Sequence, residues 1–346
     1  MILNTPPKKH TYRVFTFDGT DNKTAQQRLT VAAVRAGAYV VSSRANHVTI
    51  DQDKIAVYAR QMVDKYKLTT AMSAENHLVL DKDPRLTATY VLALDSINFG
   101  SGYFEIAKRA FVELEYNHIA KSLKNAFMGG LWRDPARWMD ATAADFHTIL
   151  SVRPRAHPEL DSLMELFAYH LSESGKRIVA EYRGDVMNLI EASNGSAAKL
   201  ADIVSSWPTF YDTAFYRGVE VPFFKRAQIL AADMVLSLKT LNFSDMDQLT
   251  IFADNMVPHV LHCDGILSYS PDLQKQIDQG EFIDSGSAQE IELRAAAIHA
   301  VELMKQSLQE QGRSFTSVNL DHILWHRGYE PAIYAKRSHK TLSVWY

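Results

Sequence analysis

Apolar residues return every three or four positions along most of this chain, and that period is helical. In "DKIAVYARQMVDKYK" (53–67), Ile55, Tyr58, Ala59, Met62 and Val63 fall on one face. "AADFHTILSV", "ELDSLMELFAYHLSESGKRIVAEY" and "AAKLADIVSSW" obey the same rule. "YVLALDSINF" (90–99) is an apolar run ending in polar residues, which fits either a short strand or a buried stretch of helix. The helical pattern breaks at "AFYRGVEVPFF" (214–224), where two short β-like pieces around Arg217-Gly218 predict a small hairpin. Residues 1–37 read as an irregular, peripheral start with one strand and one helix. No internal repeat and no Gly/Ser/Pro linker divides the chain beyond residue 37. The pattern therefore predicts a mainly α protein: a single compact helical domain over 38–346, a small β-hairpin, and an N-terminal extension of residues 1–37.

Two helix starts are marked by capping spacing. "FSDMDQLTIF" has Ser244 with Asp247 three residues on, and "GSAQEIELRAAAIHAVELM" has Ser287 with Glu290. That gives Glu290 a structural explanation. Glu292 and His299, seven apart, share their face with Ala296 and Leu303 and read as a helix flank.

Composition narrows the class. With 346 residues, 47% of them apolar, the chain can bury a large core. A net charge of −3 without a basic tract argues against gripping a polynucleotide, whereas one or two placed cations suffice for a small anion. The single Cys263 excludes an internal disulfide and fits a reducing compartment. No stretch reaches the roughly 18 apolar residues of a membrane span, and the start has no apolar leader. A soluble, cytoplasmic protein without nucleic-acid or membrane partners is the expectation.

Some motifs carry little. "FTFDGT" (15–20) resembles the aspartyl-phosphate motif of haloacid-dehalogenase-like phosphatases, but Thr16 stands at the nucleophile position, and a turn at Asp18-Gly19 accounts for it. "HVLHCD" (259–264) gathers His259, His262, Cys263 and Asp264, but no second ligand pair such as HExxH or CxxC accompanies it, so no metal is expected. Walker A, GxGxxG and GxSxG patterns are absent.

Four segments set isolated polar residues in apolar surroundings. "ALDSINFGSGYF" presents Asp95, Asn98 and Phe99. "VPFFKRAQILAADMVL" opens an amphipathic helix on Lys225-Arg226, and a lysine at a helix N-terminus suits a phosphate. "LTIFADNMVPHVL" holds Asp254 among Ile251, Phe252, Ala253, Met256 and Val257, with Pro258 expected to kink or end a helix near the carboxylate. "VNLDHILWHRGY" places Asp321 one turn before Trp325. A buried carboxylate is costly unless it is paired, protonated or used. Aromatic faces, carboxylates and one anion site together suit a flat polar base bearing a sugar phosphate. Each aspartate also fits the role of a satisfied helix-packing residue.

Seven motifs in order, "LDSINF", "NGSAAKLADIVSSWPTFYDT", "VPFFKRAQILAADM", "LTIFADNMVPHVL", "GILSYSPDL", "QEIELRAAAIHAVEL" and "LDHILWHRGY", resemble the queuosine salvage proteins, the queuosine 5′-phosphate N-glycosylase/hydrolase family, over residues 40–335. The resemblance implies an all-helical fold similar to the DNA glycosylase scaffold, release of queuine from queuosine 5′-phosphate or from queuosine, a small-molecule substrate, and neither metal nor other cofactor. By position, Asp254 matches the catalytic aspartate and Lys225 a lysine that meets the phosphate. Asp321 is expected to read the deazaguanine edge, with Asp95, Asn98, Phe99 and Trp325 in the pocket. Asn255, "NFGSGY" and His326 depart from the usual pattern and bear on which nucleotide or nucleoside is taken. The alternatives are a glycosylase for another purine or deazapurine nucleotide, a base-excision glycosylase, and a non-catalytic carrier of queuine or its nucleotides.

Overall fold

The computed structural model describes residues 28–346, Ala156 apart. The "FTFDGT" motif, and any strand before it, lie outside the described residues. In chain order the elements are α1 (Ala32–Ser42), β1 (Val48–Ile50), α2 (Gln52–Lys65), α3 (Pro84–Ser96), α4 (Phe104–Arg109), α5 (Tyr116–Met128), α6 (Ala143–Ile149), α7 (Pro158–Tyr182), α8 (Val186–Ala192) and α9 (Ala197–Val204). The β2 (Thr213–Tyr216) and β3 (Val219–Pro222) strands then lead into α10 (Lys225–Ser237), α11 (Met256–Cys263), β4 (Leu267–Tyr269), α12 (Pro271–Gln279), α13 (Ala288–Glu310), α14 (Ser317–Gly328) and α15 (Pro331–Tyr334). The protein is mainly helical, as the apolar period requires.

Helix α2 buries the predicted face: Ile55, Tyr58, Ala59, Met62 and Val63. "YVLALDSINF" is helix, not strand. Asp83 caps α3 by accepting from the Leu86 N–H, Pro84 stands in the first turn, and every residue from Thr87 to Ser96 is buried. A helix apolar all round belongs at the centre of a fold. Helix α10 is the second such element, buried from Lys225 through Gln228 and again from Leu230 through Met234, and it packs on α3 and α9. It is therefore not the amphipathic surface helix its opening Lys-Arg pair suggested. The third is α13, against which α1, α2, β1 and α11 pack.

The hairpin is antiparallel, with Tyr216 paired to Val219. Its two-residue turn puts Arg217 and Gly218 at φ 48° and 84°, the left-handed pair that matches strand twist. Strand β1 pairs antiparallel with β4, joining residues far apart in sequence.

Three sequence expectations differ from the fold. Ser244 does not cap a helix; a single 3-10 turn, Met246–Gln248, gives way to an extended segment, 249–253. Pro258 neither ends nor kinks a helix but lies in the first turn of α11, where its missing N–H costs nothing. The boundary after residue 37 falls inside α1, whose Val34, Ala38 and Val41 are buried.

Candidate active site

The site is assembled around the N-terminus of α10. Asp212, just before the hairpin, accepts from the Lys225 N–H at 3.1 Å, and its carbonyl accepts from the N–H groups of Phe223 and Phe224. Phe224 takes a left-handed φ of 50°, turning the chain into the helix. Lys225 is buried. Its Nζ donates to the Asn98 carbonyl at 3.0 Å and to Asn98 Oδ1 at 3.2 Å. Asn98 in turn donates through Nδ2 to Asp95 Oδ1 at 3.1 Å. The D-x-x-N spacing at the end of α3 thus orients one amide toward the lysine.

The extended segment 249–253 is fastened from four sides. Gln228 accepts from the Thr250 N–H at 2.8 Å, and Asp321 Oδ1 accepts from the Phe252 N–H at 2.9 Å. Arg294 Nε donates to the Ala253 carbonyl at 2.9 Å. Arg35, on α1, donates to the carbonyls of Asp247, Gln248 and Leu249. The segment delivers Asp254 to the start of α11, where Oδ1 accepts from the N–H groups of Met256 (2.8 Å) and Val257 (3.3 Å). Among the described residues Oδ2 has no partner. Asp254 is therefore hydrogen-bonded but not ion-paired.

One cavity of about 740 Å³ opens on these groups, a size suited to a small molecule. Its lining includes Asn98, Phe99, Lys225, Asp254, Asp321 and Trp325, so six of the seven residues singled out in the sequence face one space. Asp95 does not line it and stands behind Asn98. Asp321 and Trp325 share a face of α14, and the Trp325 ring meets Tyr329 and Tyr116 edge-on, at 4.7 and 6.0 Å between ring centres. Phe99 is held by Phe167, by His170 and by the Arg226 guanidinium. Asn255 and His326, two of the departures from the usual motifs, also line the cavity. "NFGSGY" is explained by the C-terminal strap. Gly100 donates to the Tyr346 carbonyl, and a Cβ on Gly102 would lie 2.1 Å from the Thr341 carbonyl oxygen.

Burial sets the protonation pattern. It raises the Asp321 carboxyl well above the carboxylate range, and the Asp254 charge adds to that. It also raises Asp254, against which Lys225 and the Val257 and Met256 N–H groups act. Asp95 is pushed to about 7 by burial. The ammonium of Lys225 is lowered by burial, with Asp254 and Asp95 opposing.

Sequence reading missed several groups. Asp233 lines the cavity and sits eight residues after Lys225, on the same helical face. A lone acid in "ILAADMVL" was the available signal. Arg294 and Asp212 form a bidentate ion pair at 2.9 and 2.6 Å, almost fully buried, and Arg294 also lies 3.6 Å from Glu290. Glu290 does take part in capping, accepting from the Gly286 N–H. Glu292 is no helix flank: it is buried and accepts from the Asn46 and His47 N–H groups and from the Tyr216 hydroxyl. Arg226 is buried too, donating to the Ser96 carbonyl at 2.6 Å and to Thr209.

The "HVLHCD" side chains do not converge on one point: Cys263 Sγ lies 3.7 Å from His259 Nε2, and the others are engaged elsewhere. His259 meets the Ile333 carbonyl, His262 meets the Leu267 carbonyl and stacks on Tyr269, and Asp264 pairs with Arg327. No group of three His, Cys, Asp or Glu side chains among the described residues is placed to hold a metal ion. No helix among them is long and apolar enough to cross a membrane.

The segments that build this cavity run from Thr69 to Tyr346, and comparison with known proteins covers most of that stretch. A family model described as "Queuosine salvage protein" matches residues 78–346. A queuosine 5′-phosphate N-glycosylase/hydrolase of Sphaerobacter thermophilus is 32% identical over 88% of this chain and 95% of its own length. Proteins of the same name from Dictyostelium discoideum and Schizosaccharomyces pombe are 29% and 27% identical, over 90% and 87% of this chain and 98% and 95% of theirs. Similarity of this extent, which takes in α3, α10, α11 and α14, makes this chain a member of the queuosine salvage protein family.

Proposed function

We propose that this protein hydrolyses the N-glycosidic bond of queuosine 5′-phosphate, releasing queuine and ribose 5-phosphate. The observation that carries the reading is the convergence of Asp254, Lys225, Asp321 and Trp325, from three separate segments, on one cavity in a chain of this family. Lys225 meets the phosphate at the opening of α10 through its ammonium, which Asn98 orients. The base lies against Trp325. Asp254 faces the anomeric carbon with its free Oδ2, and its charge stabilises the cationic sugar that forms as the bond to the base breaks.

The bonding pair leaves with the base, which must be neutralised there. A 7-deaza base offers no ring nitrogen at that position to protonate. Asp321, held protonated by burial, gives its proton to an acceptor on the base edge as the bond breaks, so that the base leaves neutral. Water adds to the anomeric carbon, and Asp254, raised by burial and so a stronger base, its anion favoured by Lys225 and two backbone N–H groups, takes the water's proton. Asn98 holds the lysine in place, and Asp95 holds Asn98.

The test is release of free queuine from queuosine 5′-phosphate and from queuosine by the purified protein, beside Asp254→Ala. The expected result is faster release from the phosphate and a loss of about 10³-fold or more in kcat for a variant that melts normally. Tight binding without release by the wild type would make the protein a carrier. Release undiminished in Asp254→Ala would remove the aspartate from the chemistry.

A further inference from the structure

The mechanism leaves Asp233, a buried acid of the cavity, without work. Asp233 is 5% exposed, it lines the cavity, and its carboxylate makes no hydrogen bond or ion pair among the described residues. Its backbone is accounted for, since the carbonyl accepts from the Ser237 hydroxyl. A carboxylate so buried and so unpartnered is expensive, and its neighbours make matters worse. Asp95 and Asp321 both act on it unfavourably, and Lys225 is the cation that opposes them. Asp254 and Asp321 draw on the same lysine. Asp233 therefore has no cation of its own among the described residues, because Lys225, the one that acts on it, is shared with the other acids.

Position says where such a cation would come from. Lys225, Ile229 and Asp233 succeed one another on the cavity face of α10. Eight residues at 1.5 Å each set the two charged positions about 12 Å apart along the axis. The helix thus shows a cation at one end of the cavity and, two turns deeper, an acid whose neutral form burial favours until a cation meets it. Asp233, Tyr116 and Trp325 line the same cavity, and Tyr116 meets Trp325 edge-on. A base stacked on Trp325 with its phosphate toward Lys225 directs its other substituent toward Asp233. In queuosine that substituent is an aminomethyl arm, cationic near neutral pH.

We infer that Asp233 is a specificity residue that receives the ammonium of the 7-aminomethyl arm, so that α10 reads a nucleotide with an anion at one end and a cation at the other. This rests on the proposed function. The arm makes the same contact before and after the glycosidic bond breaks. Asp233 therefore acts on binding, and its loss appears in KM more than in kcat.

The experiment compares two 5′-nucleotides of one base, 7-aminomethyl-7-deazaguanosine 5′-phosphate and the uncharged 7-cyano analogue, with wild type and Asp233→Asn. Calorimetric affinity and kcat/KM are both read, and thermal melting checks the fold. Wild type is expected to favour the aminomethyl nucleotide by about 10- to 100-fold, the range of a hydrogen bond to a charged group. Asp233→Asn should remove most of that preference and change the cyano nucleotide by less than about threefold. Equal loss on both nucleotides in a folded variant, or an unchanged preference, overturns the inference. If wild type binds both but cleaves neither, hydrolysis fails as the function, and the affinities still decide the role of Asp233.

Discussion

Asp254 and Asp95 show two different fates of a buried acid. Asp254 keeps one oxygen on the α11 backbone and offers the other to the cavity, near the lysine that favours its anion. Asp95 is fully buried behind Asn98, and its Oδ2 has no partner. The ordinary value for that carboxyl is 3.8, and in the folded protein burial lifts it to about 7. Between these values folding takes up a proton, so this group's contribution to stability falls as pH rises from about 4 to about 7 and is level beyond. Asn at position 95 keeps the acceptor for Asn98 and has no charge to bury. The stability of Asp95→Asn relative to wild type should therefore increase steadily over that window. Denaturant melts at pH 4.5, 5.5, 6.5 and 7.5 would show it; a constant difference would mean that Asp95 titrates normally.

At the level of elements, the site depends on one guanidinium. Arg294, in the second turn of α13, holds the carbonyl before Asp254, pairs with the carboxylate that caps Lys225, and lies across the rings of Phe223 and Tyr346. It thereby ties α10, the extended segment and the C-terminal strap to α13. Removing one partner of a buried pair strands the other's charge. Arg294→Met should cost about 3–5 kcal/mol, and Asp212→Leu a similar amount. The double variant should cost clearly less than the two together, because neither charge is then left alone. Urea unfolding of the four proteins measures this, and simple additivity would mean that the pair contributes nothing as a pair. The hairpin turn and the face of α2 were legible in the sequence because both depend on near neighbours. The reversal at 244–258 was not. Its capping spacing read as a helix, but Gln228, Asp321, Arg294 and Arg35, all distant in sequence, hold the segment extended and move the helix start to Met256.

For the molecule as a whole, the start of the chain matters more than its irregular pattern suggested. Val31 and Val34 are completely buried, and Arg35 grips the loop that leads to Asp254 and pairs with Glu302 of α13. A chain beginning at residue 38 loses all three. Burial of the two valines alone is worth about 3–5 kcal/mol, so this chain should melt well below one beginning at residue 28, or fail to fold. Equal melting temperatures would place residues 28–37 outside the cooperative unit.

The sequence alone determined the helical class, the hairpin, and the residues with chemistry to offer, because period, turn residues and isolated acids in apolar runs are local signals. It also carried the family, through motifs short enough to be read without coordinates. Only the tertiary structure decided which of those residues meet. It put Asp95 behind Asn98 rather than on the cavity, turned Arg294 and Glu292 from helix-face residues into buried fasteners, and exposed Asp233 as an acid without a partner. The physical reason is the same in each case. The cost of a buried charge depends on what surrounds it in space, and for these residues most of those surroundings come from segments far away along the chain.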